Sequence, residues 1–434
     1  MSSKKLSRRN FLKAAATGAC ATALGAVPAL SHLPVLAQDN VTLTFAVHWE
    51  LAFQPVQEEW DTMYQESHPN ITIEKIYNTW ADHNTAVVTW AAAGTLPDFL
   101  YVHGSRAVPW SKGGILMALD PYTEADPDFD VDGVFQEALR LYNVDGMQWA
   151  IPYDHGPVLL GYNKDMFDAA GMDYPGEEWT IEEFAEAARA LTIPGERWGF
   201  GADVSLGNES APAHLGIFGG ATFNEAEDGL LLDTDESREG LNFWFTELMH
   251  GDHAISDAAE MSSFSGDGRL TGQFGMFRIA TWDIPTFHDL AAFAYDVAPW
   301  PTGPAGRHTG SFGSGFGGTS STEHPQQVWD YLSEYLSVQG MEFMWAASGR
   351  GSPARDAAYQ AFLDAEIVPE HTQYFLDAMN NYAVTGRPYQ SVTGPEVYSV
   401  IDANRTLLST GEITVDQFIE NVNEQSAPIF SRES

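Results

Sequence analysis

The chain of 434 residues carries 60 acidic and 21 basic side chains, which gives a formal net charge of −39. A surface of this charge repels nucleic acid and anionic lipid, so neither is expected as a partner. The length predicts two or three domains, and hydrophobic residues make up 44% of the sequence, which is typical of a folded protein. The acidic excess fits either a saline habitat or simply an acidic exported protein.

Residues 1–37 are typical of an export signal. Basic residues lead into an alanine- and glycine-rich stretch over 14–30, and the run Ser-Arg-Arg-Asn-Phe-Leu-Lys at 7–13 matches the twin-arginine pattern. We expect cleavage after Ala37 and export by the twin-arginine route to the periplasm or the outer face of the cell membrane. A retained membrane anchor is disfavoured because glycine and proline interrupt an apolar run that is already short for a span.

Cys20 is the only cysteine in the sequence and lies within this leader. Lipid attachment to Cys20 is the less favoured alternative, because Thr17 stands where a lipidation motif has an apolar residue such as leucine. If the leader is removed after Ala37, the remaining chain has no cysteine and therefore neither disulfides nor thiol chemistry.

Beyond the leader, strand-like and helix-like segments alternate. Residues 41–47 predict a buried β-branched strand, a helix follows over 55–67, and residues 71–77 predict the next strand. A helix over 82–93 and a third strand over 96–103 come next. This order is typical of a parallel sheet with right-handed crossovers, so the sequence predicts the α/β fold class.

The most informative stretch runs over 146–192. A strand-like run leads into the polar turn Tyr153-Asp154-His155, and a second apolar strand follows over 158–162. Thr180 begins a helix as the first residue of a capping box. A polar turn that joins two long α/β regions is typical of a hinge between two lobes, with a ligand cleft beside it.

Short segments of this stretch also occur in an order that is typical of one protein family. They are Pro152-Tyr153-Asp154, Tyr162-Asn163-Lys164-Asp165, Ala170-Gly171, Trp179-Thr180 and Leu191-Thr192. In this order they resemble the hinge region of the extracellular solute-binding proteins of ABC importers, in the branch that includes maltose- and oligosaccharide-binding proteins. The similarity covers nearly all of residues 40–360.

The resemblance implies a two-lobed periplasmic-binding-protein fold, in which each lobe is a mostly parallel sheet flanked by helices. It also implies three hinge crossings, which we place at the turn 153–155, at the glycine-rich strand 311–317 and near residues 338–340. The expected lobes are residues 40–154 with 315–339 on the N-terminal side, and 155–314 with 340–434 on the C-terminal side.

The resemblance further implies that a carbohydrate binds in the cleft between the lobes. A sugar needs aromatic faces for its C–H surfaces and polar groups for its hydroxyls. We expect Trp282 to stack on a sugar ring, and Glu50 and Asp154 to accept hydrogen bonds from hydroxyls. Arg106 and Arg350 are expected to donate hydrogen bonds. The candidate ligand-binding residues are Trp49, Glu50, His103, Ser105, Arg106, Asp154, Trp282, Gly313, Ser314 and Arg350.

Alternatives to these assignments remain open. Core packing is the alternative for Trp49 and Trp282. Residues 313–318 match the spacing of a dinucleotide-binding loop, but no convincing helix follows them. The run His250-Gly251-Asp252-His253 lacks a clear third metal ligand. Neither a cofactor nor a metal ion is therefore expected.

The sequence thus predicts a non-catalytic, monomeric binding component that captures a mono- or oligosaccharide and delivers it to the permease of an ABC importer. If Arg106, Arg278 and Arg350 converge, the ligand is instead an anion such as a sugar phosphate or glycerophosphodiester, or another small polar solute. An exported glycoside-active enzyme is the alternative of a different class, because facing carboxylates cannot be recognised among 60 acidic residues.

Overall fold

The computed structural model describes residues 40–432 except Glu50, Ala52 and the segments 202–203, 207–209, 226–227, 265 and 386–390. The predicted leader and the candidate site residue Glu50 therefore lie outside the described residues. Within the described part of the chain, no helix is both long and apolar enough to cross a membrane.

Strands and helices alternate along the chain, as the sequence predicts. The strands are β1 (Val41–Val47), β2 (Ile71–Tyr77), β3 (Phe99–His103), β4 (Asn143–Val144), β5 (Met147–Gln148), β6 (Ile151–Pro152), β7 (Gly156–Asn163), β8 (Trp198–Gly201), β9 (Phe274–Ala280), β10 (Tyr295–Ala298), β11 (Thr309–Phe312), β12 (Ser314–Gly318) and β13 (Ala383–Thr385).

The helices pack around these strands. They are α1 (Gln54–Ser67), α2 (Trp80–Ala93), α3 (Ala107–Lys112), α4 (Asp120–Ala125), α5 (Gln136–Arg140), α6 (Lys164–Ala170), α7 (Ile181–Leu191), α8 (Ala211–His214), α9 (Asp235–Leu241), α10 (Ala258–Ser262), α11 (Ile284–Leu290), α12 (Pro325–Tyr335), α13 (Val338–Met341), α14 (Asp356–Leu363), α15 (Gln373–Asn381), α16 (Gly394–Ser409) and α17 (Val415–Phe430). Two π-helical segments, Asn242–Gly251 and Glu342–Ala346, extend α9 and α13.

Local signals in the sequence explain where several helices begin and end. The Thr180 hydroxyl accepts a hydrogen bond from the Glu183 amide at 3.3 Å, and the Thr180 amide donates to the Glu183 carboxylate at 2.8 Å. The predicted capping box of α7 is therefore confirmed. Gly94 and Gly171 end α2 and α6 with φ values of 68° and 66°, a conformation that glycine adopts without steric cost.

The described strands form two large sheets. The first has the order β2-β1-β3-β12-β6, and the second has the order β13-β11-β7-β9-β8 with β10 also paired to β7. In the first sheet β1 is parallel to β2 and β3, whereas β12 is antiparallel to β3 and β6. In the second sheet β7 is antiparallel to β9, β10 and β11.

The α/β class is thus confirmed, but both sheets are mixed, and the expectation of mostly parallel sheets is wrong. The physical reason lies in how the chain passes between the sheets. β12 begins beside His103, the residue at which β3 ends, so β12 must run against β3. In the same way β7 begins close to Ala280, the residue at which β9 ends.

Aromatic side chains dominate the packing of each sheet. In the first sheet the rings of Phe45 and Phe99 stack at 4.3 Å between centroids, and Phe316 meets Phe45 edge-on at 5.4 Å. Behind the second sheet, Trp244 and Trp300 are fully buried against Phe200. Rigid, closely packed sheets of this kind hold the residues at their edges in fixed positions.

Three chain segments lie side by side between the sheets: residues 153–155, Gly313 and residues 351–354. The Tyr153 amide donates to the Ser314 carbonyl at 2.9 Å, and the Ala354 amide donates to the Tyr153 carbonyl at 2.9 Å. The third of these hinge segments comes later in the chain than the expected crossing at 338–340. Helical residues beyond 340 still pack beside the first sheet, because the Phe343 ring lies 5.9 Å from the ring of Trp60 in α1.

The net charge of −39 generates a prediction about salt. We expect the thermal midpoint of unfolding to rise by several degrees between about 0.01 M and 1 M NaCl, because the screening length falls from about 30 Å to about 3 Å and weakens repulsion among surface carboxylates. Differential scanning calorimetry measures the shift. KCl at equal ionic strength is the control and should give the same rise, because screening depends on ionic strength. A midpoint that does not rise between about 0.01 M and 0.2 M salt would refute the electrostatic explanation.

Candidate ligand-binding site

A cleft of about 510 Å³ opens beside the hinge segments. It lies where β3 ends and where β9 and β11 approach the hinge, so the rigid edges of both sheets supply its walls. Eight of the ten candidate residues line it, namely His103, Ser105, Arg106, Asp154, Trp282, Gly313, Ser314 and Arg350. Residues from distant parts of the sequence are thus brought together at one place.

Trp49 does not line the cleft, and core packing is its role. Its side chain is 2% exposed, and its indole N–H donates to the Gln57 amide oxygen at 2.9 Å. The Arg350 guanidinium lies 4.4 Å from the centre of the Trp49 ring. Trp49 therefore packs against Arg350 and helps to hold its side chain at the cleft. Glu50 lies outside the described residues, so its expected role stays a prediction.

The structure also adds cleft residues that the sequence argument missed. They are His48, Trp80, Tyr101, Tyr153, Phe312, Pro395, Tyr398 and Ser399. His48 and Tyr101 were within reach of sequence reasoning, because His48 follows β1 directly and Tyr101 lies in β3. Pro395, Tyr398 and Ser399 come from α16, and no signal in the sequence connects that late helix with the cleft.

Two tryptophans present aromatic surface to the cleft, one beside each sheet. Trp80 begins α2, which follows β2 of the first sheet, and its side chain is 46% exposed. Its ring meets that of His103 edge-on at 5.9 Å between centroids. Trp282 is half-buried and lies in the short 3₁₀ turn Thr281–Asp283, which directly follows β9 of the second sheet. The cleft thus combines exposed aromatic surface with polar groups.

Asp154 is the buried carboxylic acid of the cleft. It is 5% exposed, and its Oδ1 atom accepts a hydrogen bond from the Ser314 amide at 2.6 Å. Burial raises the pKa of Asp154 to about 7, while the Ser314 amide and the charge of Arg350 oppose that rise. Asp154 therefore changes its charge near neutral pH.

The histidines of the cleft are held neutral. Burial, helped by the charge of Arg350, lowers the pKa of His48 to about 2. Burial also lowers the pKa of His103 to about 4, and its Nδ1 atom lies 2.8 Å from the Ser105 hydroxyl. His155, on the first hinge segment, has its pKa lowered to about 4 by burial. At neutral pH these imidazoles act as uncharged hydrogen-bonding groups.

Two arginines supply positive charge. The Nε atom of Arg106 donates to the Asn84 side-chain oxygen at 3.0 Å, which orients its guanidinium. Arg350 is 5% exposed and packs against the rings of Trp49 and Phe53 at 4.4 Å and 4.8 Å. Arg278 is absent from the described lining of the cleft, so two rather than three of the arginines considered lie there.

Two further motifs have structural explanations. Residues 313–318 comprise Gly313, the second hinge segment, and strand β12, and an added Cβ at Gly315 or Gly317 would lie 2.7 Å from a carbonyl of the neighbouring chain segment. These glycines thus permit close strand packing. His250 contacts the Leu408 carbonyl through Nε2 at 2.9 Å, which gives it a place in helix packing.

Among the described residues, one group has side chains close enough to share a metal ion: Asp296, Glu370 and His371. It lies apart from the cleft lining. His371 Nδ1 is 2.7 Å from the Asp296 carboxylate, and Lys164 Nζ is 3.6 Å from Glu370. These contacts already give both carboxylates a partner, so the group is explained as a structural cluster.

Two sheets joined by a hinge, with a mixed aromatic and polar cleft beside it, define a hinged binding protein. Residues 50–342 match the model of the family described as bacterial extracellular solute-binding protein, and the chain belongs to that family. The family expected from the sequence is thereby confirmed. As a member, the protein is an exported solute-binding protein.

Known relatives and solved structures agree with this assignment. The chain is 24% identical to the arabinooligosaccharide-binding protein of Halalkalibacterium halodurans over 339 residues, which are 74% of each protein. The fold is similar to that of the ABC substrate-binding protein Lmo0181 from Listeria monocytogenes in complex with cycloalternan, with a TM-score of 0.81 at 22% identity over 89% of this chain and 98% of that one. It is also similar to the GacH receptor of Streptomyces glaucescens, with a TM-score of 0.75 at 19% identity over 90% and 98%.

The close approach at Gly313 generates a second prediction. An added Cβ there would lie 2.4 Å from the Asp154 carbonyl oxygen, so we expect Gly313→Ala to cost about 1–3 kcal/mol and to lower the thermal midpoint. Gly176→Ala is the matched control, because an added Cβ at Gly176 meets nothing within 4 Å. Equal midpoints for the two variants would show that the hinge segments are not closely packed.

Proposed function

We propose that the protein captures a carbohydrate in this cleft and delivers it to the permease of an ABC importer. The observation that carries the proposal is that Trp80, beside the first sheet, and Trp282, beside the second, line a single cleft together with hydrogen-bonding groups. Aromatic faces suit the C–H surfaces of a sugar ring, and planar polar groups suit its hydroxyls. Asp154 and Arg106 provide such polar groups.

The relatives support a sugar ligand. The similar protein of Halalkalibacterium halodurans is named for arabinooligosaccharides, the similar Listeria monocytogenes structure contains cycloalternan, and the GacH receptor was solved with acarbose. Each of these ligands is rich in hydroxyl groups, which need many short hydrogen bonds from a cleft wall.

The proposed mechanism is closure of two lobes about the hinge segments. We assign β1–β3, β6 and β12 to the N-terminal lobe and β7–β11 and β13 to the C-terminal lobe. A ligand that touches Trp80 on one side and Trp282 on the other binds the closed form more tightly than the open form. That difference in affinity is what drives closure.

Binding without catalysis suits the cleft. A glycosidase of the usual kind needs two carboxyl groups flanking the scissile bond. Asp154 is the one carboxylic acid among the described residues that line the cleft. A carrier also functions as a monomer, since one chain supplies both walls of the cleft.

An anionic sugar is the second candidate ligand. Arg106 and Arg350 both line the cleft, and planar guanidinium groups match carboxylate and phosphate oxygens. A sugar phosphate or a glycerophosphodiester would use these groups, whereas a neutral oligosaccharide would depend more on the tryptophans.

Ligand identity is tested by thermal shift and calorimetry of the protein with arabino- and maltooligosaccharides, mannitol and glycerophosphodiesters. We expect a neutral oligosaccharide to raise the thermal midpoint, because a ligand of the native state stabilises it. Trp80→Ala and Trp282→Ala should each weaken binding by about 5- to 150-fold, as loss of aromatic contact area costs about 1–3 kcal/mol.

Leu290→Ala is the control for these variants, because Leu290 is 64% exposed and lies outside the cleft lining. Binding that needs a phosphate group and is unaffected by either tryptophan variant would favour the anionic ligand. Hydrolysis of an oligosaccharide by the purified protein would contradict the carrier proposal.

We also propose export by the twin-arginine route, on the evidence of Arg8 and Arg9 in the leader. Replacement of both arginines by lysine keeps the charge, yet we expect it to leave the protein in the cytoplasm of a host that has this pathway. Cell fractionation and immunoblotting measure the distribution. Lys5→Arg is the charge-conserving control and should be exported normally.

A further inference from the structure

Asp154 belongs both to the hinge, through its backbone, and to the ligand cleft, through its side chain. Its backbone lies on the first hinge segment and forms an antiparallel bridge with Pro353 on the third. Its side chain accepts the Ser314 amide hydrogen bond, at 2.6 Å, just beyond the second. The same carboxyl group lines the cleft. A change in the charge of this carboxyl group therefore acts on a ligand in the cleft and on contacts between all three hinge segments.

We propose that carbohydrate capture is coupled to the release of a proton from Asp154. This inference rests on the proposed function, and it adds regulation of the same site by pH. Without ligand, burial shifts the carboxyl group toward its protonated form, and the hydrogen bond of 2.6 Å from the Ser314 amide offsets this shift only in part. Ligand hydroxyls that donate to its oxygens would replace the water lost by burial and would favour the carboxylate.

The charged and phenolic groups around Asp154 do not change their charge near neutral pH. Arg350 is the charged neighbour and keeps its charge throughout the relevant range. The phenols of Tyr101, Tyr142 and Tyr153 also face Asp154, and burial raises the pKa of each of them above its usual value of about 10.

The nearby imidazoles titrate at lower pH. The pKa is about 2 for His48, about 4 for His103 and about 4 for His155, so all are neutral above pH 5.5. Among these groups, Asp154 alone has its pKa, about 7, inside the window from pH 5.5 to 8.5. A pH dependence within this window would therefore point to a single carboxyl group.

The sign of the effect follows from linkage. If the carboxylate form binds the ligand, the apparent Kd equals the intrinsic Kd divided by the ionised fraction, so affinity falls by about thirtyfold from pH 8.5 to 5.5. At pH 7 about half a proton leaves the protein for each ligand bound. The stability of the ligand-free protein changes with pH in the opposite direction to its ligand affinity. The stability that protonated Asp154 contributes is lost as pH rises through about 7.

Titration calorimetry with arabinotriose and maltotriose tests the coupling in wild-type protein, Asp154→Asn and Asp173→Asn. Measurement in phosphate and Tris, which differ in ionisation enthalpy, gives the number of protons released. We expect release and a thirtyfold pH effect in wild type and in Asp173→Asn, an exposed residue whose replacement removes the same charge. Asp154→Asn should show weaker, pH-independent binding with no proton release.

A ligand-free measurement separates the two proposals. The difference in thermal midpoint between wild type and Asp154→Asn should change between pH 5.5 and 8.5, with wild type losing stability relative to the variant as pH rises. If a sugar binds with equal affinity across the window, or if the variant keeps the pH effect, the coupling is refuted. If neither sugar binds but the ligand-free shift is present, the carbohydrate proposal fails while the titration of Asp154 stands. A missing shift would overturn the inference by itself.

Discussion

The contact of three backbone segments at the hinge is the constraint on which the rest of the structure depends. Residues 153–155 and 351–354 exchange hydrogen bonds, and Gly313 lies against the Asp154 carbonyl with no room for a side chain. Gly156 is under the same restriction, since an added Cβ would meet the Ser352 hydroxyl at 2.5 Å. Close backbone contact of this kind places the strands on either side, and those strands place the cleft residues.

The hinge also explains the mixed sheets. When the chain crosses from one lobe to the other, its next strand starts at the edge of the sheet beside the hinge. The neighbouring strands, which belong to local β-α-β units, end at that same edge. β7 and β12 are such entering strands, and both run antiparallel to their neighbours β9 and β3. Mixed pairing is thus a consequence of crossing between lobes, and it could not be predicted from hydrophobic patterns within each lobe.

Local sequence signals predicted the parts of the fold that depend on neighbouring residues. The capping box at Thr180, the glycine after α6 and the polar turn containing Asp154 all lie where they were expected. Parts that depend on long-range packing were not predictable in the same way. Trp49 is a core residue because Gln57 offers it a buried hydrogen-bond partner. Tyr398 reaches the cleft from α16, near the end of the chain. The third hinge segment, residues 351–354, comes after helical residues that were expected to belong to the C-terminal lobe.

Charge is distributed very differently in the cleft and over the chain as a whole. The chain carries 60 acidic residues, yet among the described cleft residues one carboxylic acid accompanies two arginines and the neutral imidazoles of His48 and His103. Solvated carboxylates repel one another weakly because water and salt screen them, whereas a second carboxylate beside Asp154 would be costly in a buried cleft. A wall of mostly uncharged donors and acceptors matches the many neutral hydroxyls of a sugar. Asp154 is then the described cleft residue through which a change of pH near neutrality alters the charge of this wall.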